Sequence, residues 1–175
     1  MIDGFILPLH LQPRITSGAN TLAQRLQQIG WLMGTAESCT GGGIAFALTS
    51  LPGSSRWFVG GIVSYTNKLK AGLLAVPPED IASHGAVSET VVAAMSAGAL
   101  QALGCQISVA VSGIAGPAGA VPGKPVGTVC FGWAIDRGGC LPDVGCETLC
   151  FEGDRAEVRG LTILHAIEGC LARLP

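Results

Sequence analysis

Between Glu89 and Lys124 the chain carries no Asp, Glu, Lys or Arg. A stretch that long without charge has to leave water, either across a bilayer or inside a protein core. Gly98, Gln101, Gly104, Gln106, Ser112, Gly116 and Pro117 interrupt it, whereas a membrane span needs about 20 predominantly apolar residues in a row. It therefore reads as the inner part of a folded domain. The chain has 175 residues, of which 49% are apolar and only 13% charged. Since domains typically hold about 100–150 residues and carry about 25% charge, disorder and coiled coil fall away and a single domain is expected. With 10 Lys plus Arg against 12 Asp plus Glu, the charge balance has the wrong sign for tracking a nucleic-acid backbone.

Residues 1–17 have no clean period, no basic leader and no small-residue cleavage site, so they read as an arm on a cytoplasmic protein. The single domain is expected over residues 18–175. The cysteines number seven, an odd count, and form no C-x-x-C pair. Neither a disulfide framework nor a zinc site is signalled, and no metal is expected.

Leu22, Leu26 and Ile29 lie at helical spacing, which predicts a helix over residues 18–30 ended by Gly30. An apolar run over 31–36 predicts a buried strand, and TGGGIAFALTS from Thr40 predicts a helix that stops before Pro52. FVGGIVSY (58–65) reads as a strand and 67–74 as a short helix ahead of the Pro77-Pro78 break. Ser88 opens an alanine-rich helix to about Leu103. A strand over 107–112 runs into a glycine- and proline-rich loop, two strands cover 126–136 and 144–151, and a closing helix follows Asp154. Helices interspersed with apolar strands imply an α/β fold: a three-layer α/β/α sandwich with a mixed, mostly parallel central sheet, the last two strands supplying an antiparallel hairpin.

The segment TAESCTGGG (35–43) sets Ser38, Cys39 and Thr40 between a buried strand and a helix. Free N–H groups at a helix start can hold a phosphate or a developing oxyanion, and glycines permit close approach. Ser and Thr are equally ordinary helix caps, so a capping role stands beside a reactive one. Cys39 is a second candidate, because a thiol at a helix N-terminus has a depressed pKa. His10, His84 and His165 have no partner spacing, so no Ser-His-Asp triad is evident. SYTNKLK (64–70) offers the one tyrosine, Tyr65, and two lysines. A lysine acting as a base would have to fall from about 10.4 by roughly 2–3 pH units through burial or nearby positive charge; a solvated lysine explains either position as well. The loop after Ser112 could wrap a ligand with its amides, with Lys124, Arg155 and Arg159 nearby for an anionic group, and a turn-rich connector would look the same.

Taken together, TAESCTGGG (35–43), SYTNKLK (64–70), GAVSE (85–89), SGIAGPAGAVPGKPVGTV (112–128) and FEGDRAEVR (151–159) resemble the CinA C-terminal domain family of nicotinamide-nucleotide amidohydrolases, over roughly residues 18–173. The resemblance implies hydrolysis of the carboxamide of nicotinamide mononucleotide to nicotinate mononucleotide and ammonia, in pyridine-nucleotide salvage, without metal or cofactor. It implies Ser38 as nucleophile, assisted by Tyr65 and Lys70, with Lys68 outside the motif. Substrate binding is expected from Cys39, Thr40, Gly41, Gly42, Ser112 and Gly113, and from Lys124 or Arg155 for the ribose phosphate. Ala120 stands where the family commonly shows a second glycine. No N-terminal nucleotide-processing domain of the kind often fused to this one is present, which implies a standalone deamidase; a catalytically silent nucleotide-binding module of the same fold is the alternative. High apolar content with little charge further implies a homo-oligomer, a homodimer being the simplest form.

Overall fold

Every residue of the first strand, β1 (Met33–Glu37), is buried, as the apolar run after Gly30 requires. It pairs in parallel with β2 (Phe58–Val63) on one side and with β3 (Ile107–Gly113) on the other. β4 (Thr128–Ile135) runs antiparallel to β3, and β5 (Asp143–Cys150) antiparallel to β4. The order is β2-β1-β3-β4-β5, so every strand except β4 points the same way. This is the expected mixed sheet. The computed structural model describes residues 7–175.

Helices cover both faces, which completes the expected sandwich. α1 (Gln12–Ile29), α2 (Gly43–Thr49) and α6 (Arg155–Leu171) enclose a core with Met33, Val109, Phe131 and Trp133. α3 (Asn67–Leu74), α4 (Pro78–His84) and α5 (Glu89–Leu103) lie on the opposite face, where Val91, Val92, Met95 and Ala99 of α5 pack on Ala36, Ala110 and Cys130. The sheet is lined there by small residues, and the helices press close. A Cβ on Gly132 would lie 2.4 Å from the Val92 carbonyl oxygen, and one on Gly98 only 1.9 Å from that of Leu74. The uncharged stretch is explained by the same contact, because it comprises most of α5, all of β3 and the loop that follows.

Three boundaries differ from the sequence reading. α1 begins at Gln12 rather than residue 18, because Pro13 occupies its first turn, where a missing N–H breaks no helical bond, and Leu11 and Ile15 are buried. Residues 12–17 of the expected arm are thus helical, and residues 1–6 lie outside the described residues. α4 was hidden by the Pro77-Pro78 pair; Pro78 opens it, with Glu79 and Asp80 in the first turn. α2 starts at Gly43 instead of Thr40, because Gly41 and Gly42 adopt left-handed φ of 60° and 93° and form a turn ahead of it.

Candidate active site

The parallel strands β1 and β3 end side by side, and the chain leaves β1 and β3 toward opposite edges of the sheet. A crevice beyond the carboxyl ends of strands at such a divergence is the favoured ligand position in open α/β sheets. A cleft of about 230 Å³ lies there, walled by the ends of β1 and β3, the turn from β2 into α3, residues 86–87 before α5, and Arg155 at the start of α6.

Ser38 follows β1 directly, and its N–H donates to the Val111 carbonyl of β3 at 3.1 Å. Its Oγ lies 3.1 Å from Lys70 Nζ, which also donates to the Ser64 carbonyl at 2.8 Å. Lys70 is 1% exposed, being turned inward by α3, whose start is capped by Thr66. Strand pairing sets the spacing of the two groups. The Glu37 carbonyl, one residue before Ser38, accepts the Ser64 N–H at 2.9 Å, and Ser64 in turn holds the lysine. Burial disfavours the ammonium and lowers the Lys70 pKa below its ordinary 10.5; the charge of a Cys39 thiolate would act in the opposite sense.

Glu37 takes a role that the sequence reading gave to a ligand. Its carboxylate accepts from the Ile44 and Ala45 N–H groups at 3.0 and 2.8 Å, the Thr40 hydroxyl at 2.7 Å and the Thr35 hydroxyl at 3.3 Å. The free N–H groups at the start of α2 are therefore occupied from within. The only hint in the sequence was an acid in an otherwise apolar strand end. Glu37→Ala leaves these buried donors without an acceptor, and we expect it to lower the unfolding free energy by about 3 kcal/mol, read from chemical denaturation midpoints; an unchanged midpoint would remove the clamp.

Cys39 departs from expectation for a related reason. Burial pushes its thiol up to about 12, and Glu37 adds to the rise, while its own N–H, Arg159 and the Thr40 N–H act against it. The helix end that was to stabilise a thiolate is already spent on a carboxylate. Cys39 lines the cleft as a neutral thiol.

Of the other expected residues, Tyr65, Ser112, Gly113 and Arg155 also line the cleft. The Ser112 hydroxyl donates to the Ala86 carbonyl at 2.7 Å and ties β3 to the opposite wall. Arg155 donates to the Gly116 carbonyl at 2.9 Å. Thr40, Gly41, Gly42 and Lys124 are not brought to the cleft. Thr40 is fully buried, its hydroxyl on Glu37 and its carbonyl accepting from Arg159 at 2.6 Å. Gly41 and Gly42 make the turn beneath Ser38. The Lys124 ammonium donates to the His84 and Val87 carbonyls at 2.9 and 2.6 Å, so it props the 84–87 segment from behind. Ala120 is exposed and also outside the lining. Asn67 lines the cleft although the sequence reading passed over it; it lies two residues beyond Tyr65. None of the three histidines reaches the cleft, and His165 pairs with Glu147 beside Phe131 and Phe151. Among the described residues no cluster of His, Cys, Asp and Glu could hold a metal ion, and no helix is long and apolar enough to cross a membrane.

The model of the CinA C-terminal domain matches residues 15–174. A putative competence-damage inducible protein of Symbiobacterium thermophilum is 52% identical over 81% of this chain, which spans 34% of that protein. Nicotinamide-nucleotide amidohydrolase PncC of Pseudomonas putida is 47% identical over 90% of this chain and 95% of its own length. The chain thus spans about a third of the first relative and nearly all of the second. Among solved structures, the competence damage-inducible protein A (ComA) from Klebsiella pneumoniae superposes with a TM-score of 0.86 at 36% identity, over 91% of this chain and 96% of that one.

Proposed function

The chain belongs to the CinA C-terminal domain family, and from that premise we propose that it hydrolyses the carboxamide of nicotinamide mononucleotide to nicotinate mononucleotide and ammonia through Ser38. The observation that carries the reading is the 3.1 Å contact between the Ser38 hydroxyl and a buried lysine whose ammonium form is disfavoured. A neutral Lys70 keeps an N–H on the Ser64 carbonyl and offers its lone pair to the Ser38 O–H. It takes that proton as Oγ attacks the carboxamide carbon. The resulting oxyanion is received by the main-chain N–H of Cys39, just beyond the nucleophile, in the cleft that Cys39 lines. Lys70 then returns the proton to the departing nitrogen, ammonia leaves, and an acyl-enzyme remains on Ser38. Water deprotonated by Lys70 attacks the acyl carbon, releases nicotinate mononucleotide and restores the hydroxyl. The direct contact with Lys70 favours this route over one through Tyr65, which is 58% exposed at the cleft mouth and is assigned to closing over the ring.

In this reading Ser112 and Gly113 form the floor under the ribose and Arg155 meets the phosphate. Arg155→Met is expected to raise KM about 10- to 100-fold, the worth of a charge-assisted hydrogen bond, with kcat changed less than about threefold; a loss confined to kcat would displace the phosphate from Arg155. Seven free cysteines suit a reducing, cytoplasmic setting, and pyridine-nucleotide salvage is the process that such a reaction serves. The decisive assay incubates the purified protein with nicotinamide mononucleotide. One ammonia and one nicotinate mononucleotide are expected per substrate consumed, whereas saturable binding with neither product would leave a silent nucleotide-binding module.

A further inference from the structure

Two buried hydrogen-bonding groups beside the reactive pair are unmatched. A lysine ammonium carries three N–H donors and no acceptor. Lys70 directs one donor to Ser38 Oγ and one to the Ser64 carbonyl, and its third meets no acceptor among the described residues. At 1% exposure the side chain is also out of reach of bulk water. The Ser64 hydroxyl is unmatched in the complementary sense: it is fully buried, and its Oγ has no hydrogen-bond partner among the described residues. Buried polar groups are nearly always paired, and one left unpaired lowers stability. A hydroxyl kept in that state points to a partner that arrives during the reaction.

Both groups lie on the same face of the sheet. The Ser64 N–H bond to the Glu37 carbonyl carries the β1–β2 ladder one residue past Val63, so by strand alternation Ser64 turns its side chain to the face taken by Ile62. Ile62 packs there on the core that holds Leu74 of α3 and Val91 and Met95 of α5. Lys70 reaches inward from that same α3. The hydroxyl under this helix thus belongs to the residue whose carbonyl already holds the amine.

We propose that the Ser64 hydroxyl accepts the third N–H of Lys70 as the amine takes the Ser38 proton, which makes Ser64 a positioning residue that steadies the charged base. This rests on Lys70 being the base of the reaction proposed above. While the amine is neutral the hydroxyl stays unmatched. The bond strengthens as charge develops, since a hydrogen bond to an ionised group is roughly twice as strong as one between neutral groups. Nothing is transferred beyond the proton that already passes from Ser38 to Lys70.

The charged and titratable side chains around Lys70 come from several elements. Cys39, Tyr65 and Arg155 share its cleft, and Lys68 lies on its own helix. α5, packed against α3, has Glu89 as its one charged side chain, which accepts from the Thr148 hydroxyl at 2.8 Å. α4, also against α3, carries Glu79, Asp80 and His84, none of them buried. The charge that acts on Lys70 is that of Cys39, whose thiol is pushed up to about 12.

The test is Ser64→Ala in the whole chain, which keeps the main-chain N–H and carbonyl and so the spacing of Ser38 and Lys70. At high pH, where the resting amine is neutral, kcat/KM is expected to fall about 10- to 100-fold, with the loss residing in kcat. That is the worth of one hydrogen bond to a charged group formed only in the transition state. At low pH the resting amine is already charged, and the variant lacks the same bond before and during the reaction. The two profiles should therefore merge there, and the rising limb of the variant should lie about 1–2 pH units lower. Ser64→Thr, which keeps the hydroxyl, should return the limb to the parental position. Thermal melts give a reading that needs no turnover. Ser64→Ala should gain on the parent as pH climbs through the Lys70 ionisation, because the charged amine loses an acceptor in the variant and the neutral one does not. That gain should be absent when both proteins carry Lys70→Met. Parallel profiles with an unmoved limb, a limb left low in Ser64→Thr, or a melting difference indifferent to pH would each overturn the proposal. A parent that never turns over nicotinamide mononucleotide would instead sink the hydrolase reading, and the melts would still decide whether hydroxyl and amine pair.

Discussion

Ser38→Ala is expected to lower turnover of nicotinamide mononucleotide by about 10⁴- to 10⁶-fold while substrate still binds, since removing the nucleophile of an acyl-transfer enzyme costs about this much and leaves the remaining contacts in place. The variant should fold, because the hydroxyl has one hydrogen-bond partner, Lys70, and the Ser38 N–H bond to Val111 is main-chain. Product release at the parental rate would end the role of Ser38. A burst of ammonia ahead of the steady state in the parent, absent from the variant, would identify the acyl-enzyme.

Lys70→Met should reduce kcat/KM by about 10²- to 10⁴-fold, the usual worth of a positioned general base. Lys70→Arg should not restore it, because a guanidinium stays protonated throughout the working range. In the parent, kcat/KM should rise with pH through one ionisation below the ordinary lysine value of 10.5, since only the neutral amine can accept the proton and burial lowers its pKa. The same shift acts on stability. The unfolded chain binds the proton more tightly than the folded one, so Lys70 costs the fold stability in full below its depressed folded value, and that cost fades as pH climbs from there to about 10.5. Thermal melts across this window should therefore show the parent gaining on Lys70→Met as pH rises. A constant difference would mean that the lysine keeps its proton in the fold, and the catalytic role assigned to it would go too.

The sheet and its helical layers were legible because their signals are local. Leu22 and Leu26 repeat at helical spacing, and the β1 run is short and wholly apolar. The start of α1 was not legible because residues 12–17 show no clean apolar period, and Pro13 in a first turn breaks no helical bond. The site was half legible. Ser38, Tyr65 and Lys70 share one cleft as the motifs suggested. No spacing rule, however, says that Ser64 bridges a strand and a helix, or that Lys124 bends back to the carbonyls of His84 and Val87. Cys39 shows the limit most clearly: a thiol near a helix start reads as activated until the carboxylate already seated there, Glu37, is seen in place.

The link from Glu37 to Ser64 runs along main-chain atoms and ends on the Ser64 carbonyl that accepts from the Lys70 side chain, and this makes the reactive pair depend on strand alignment as well as on side-chain choice. Substituting the residues around it can alter reactivity but cannot drift the two groups apart while the first two strands stay in step. A one-position slip between those strands would instead turn each side chain to the opposite face and part the hydroxyl from the amine at once. Reactivity of this kind should vanish abruptly on local melting of that ladder, well before the far side of the sheet gives way.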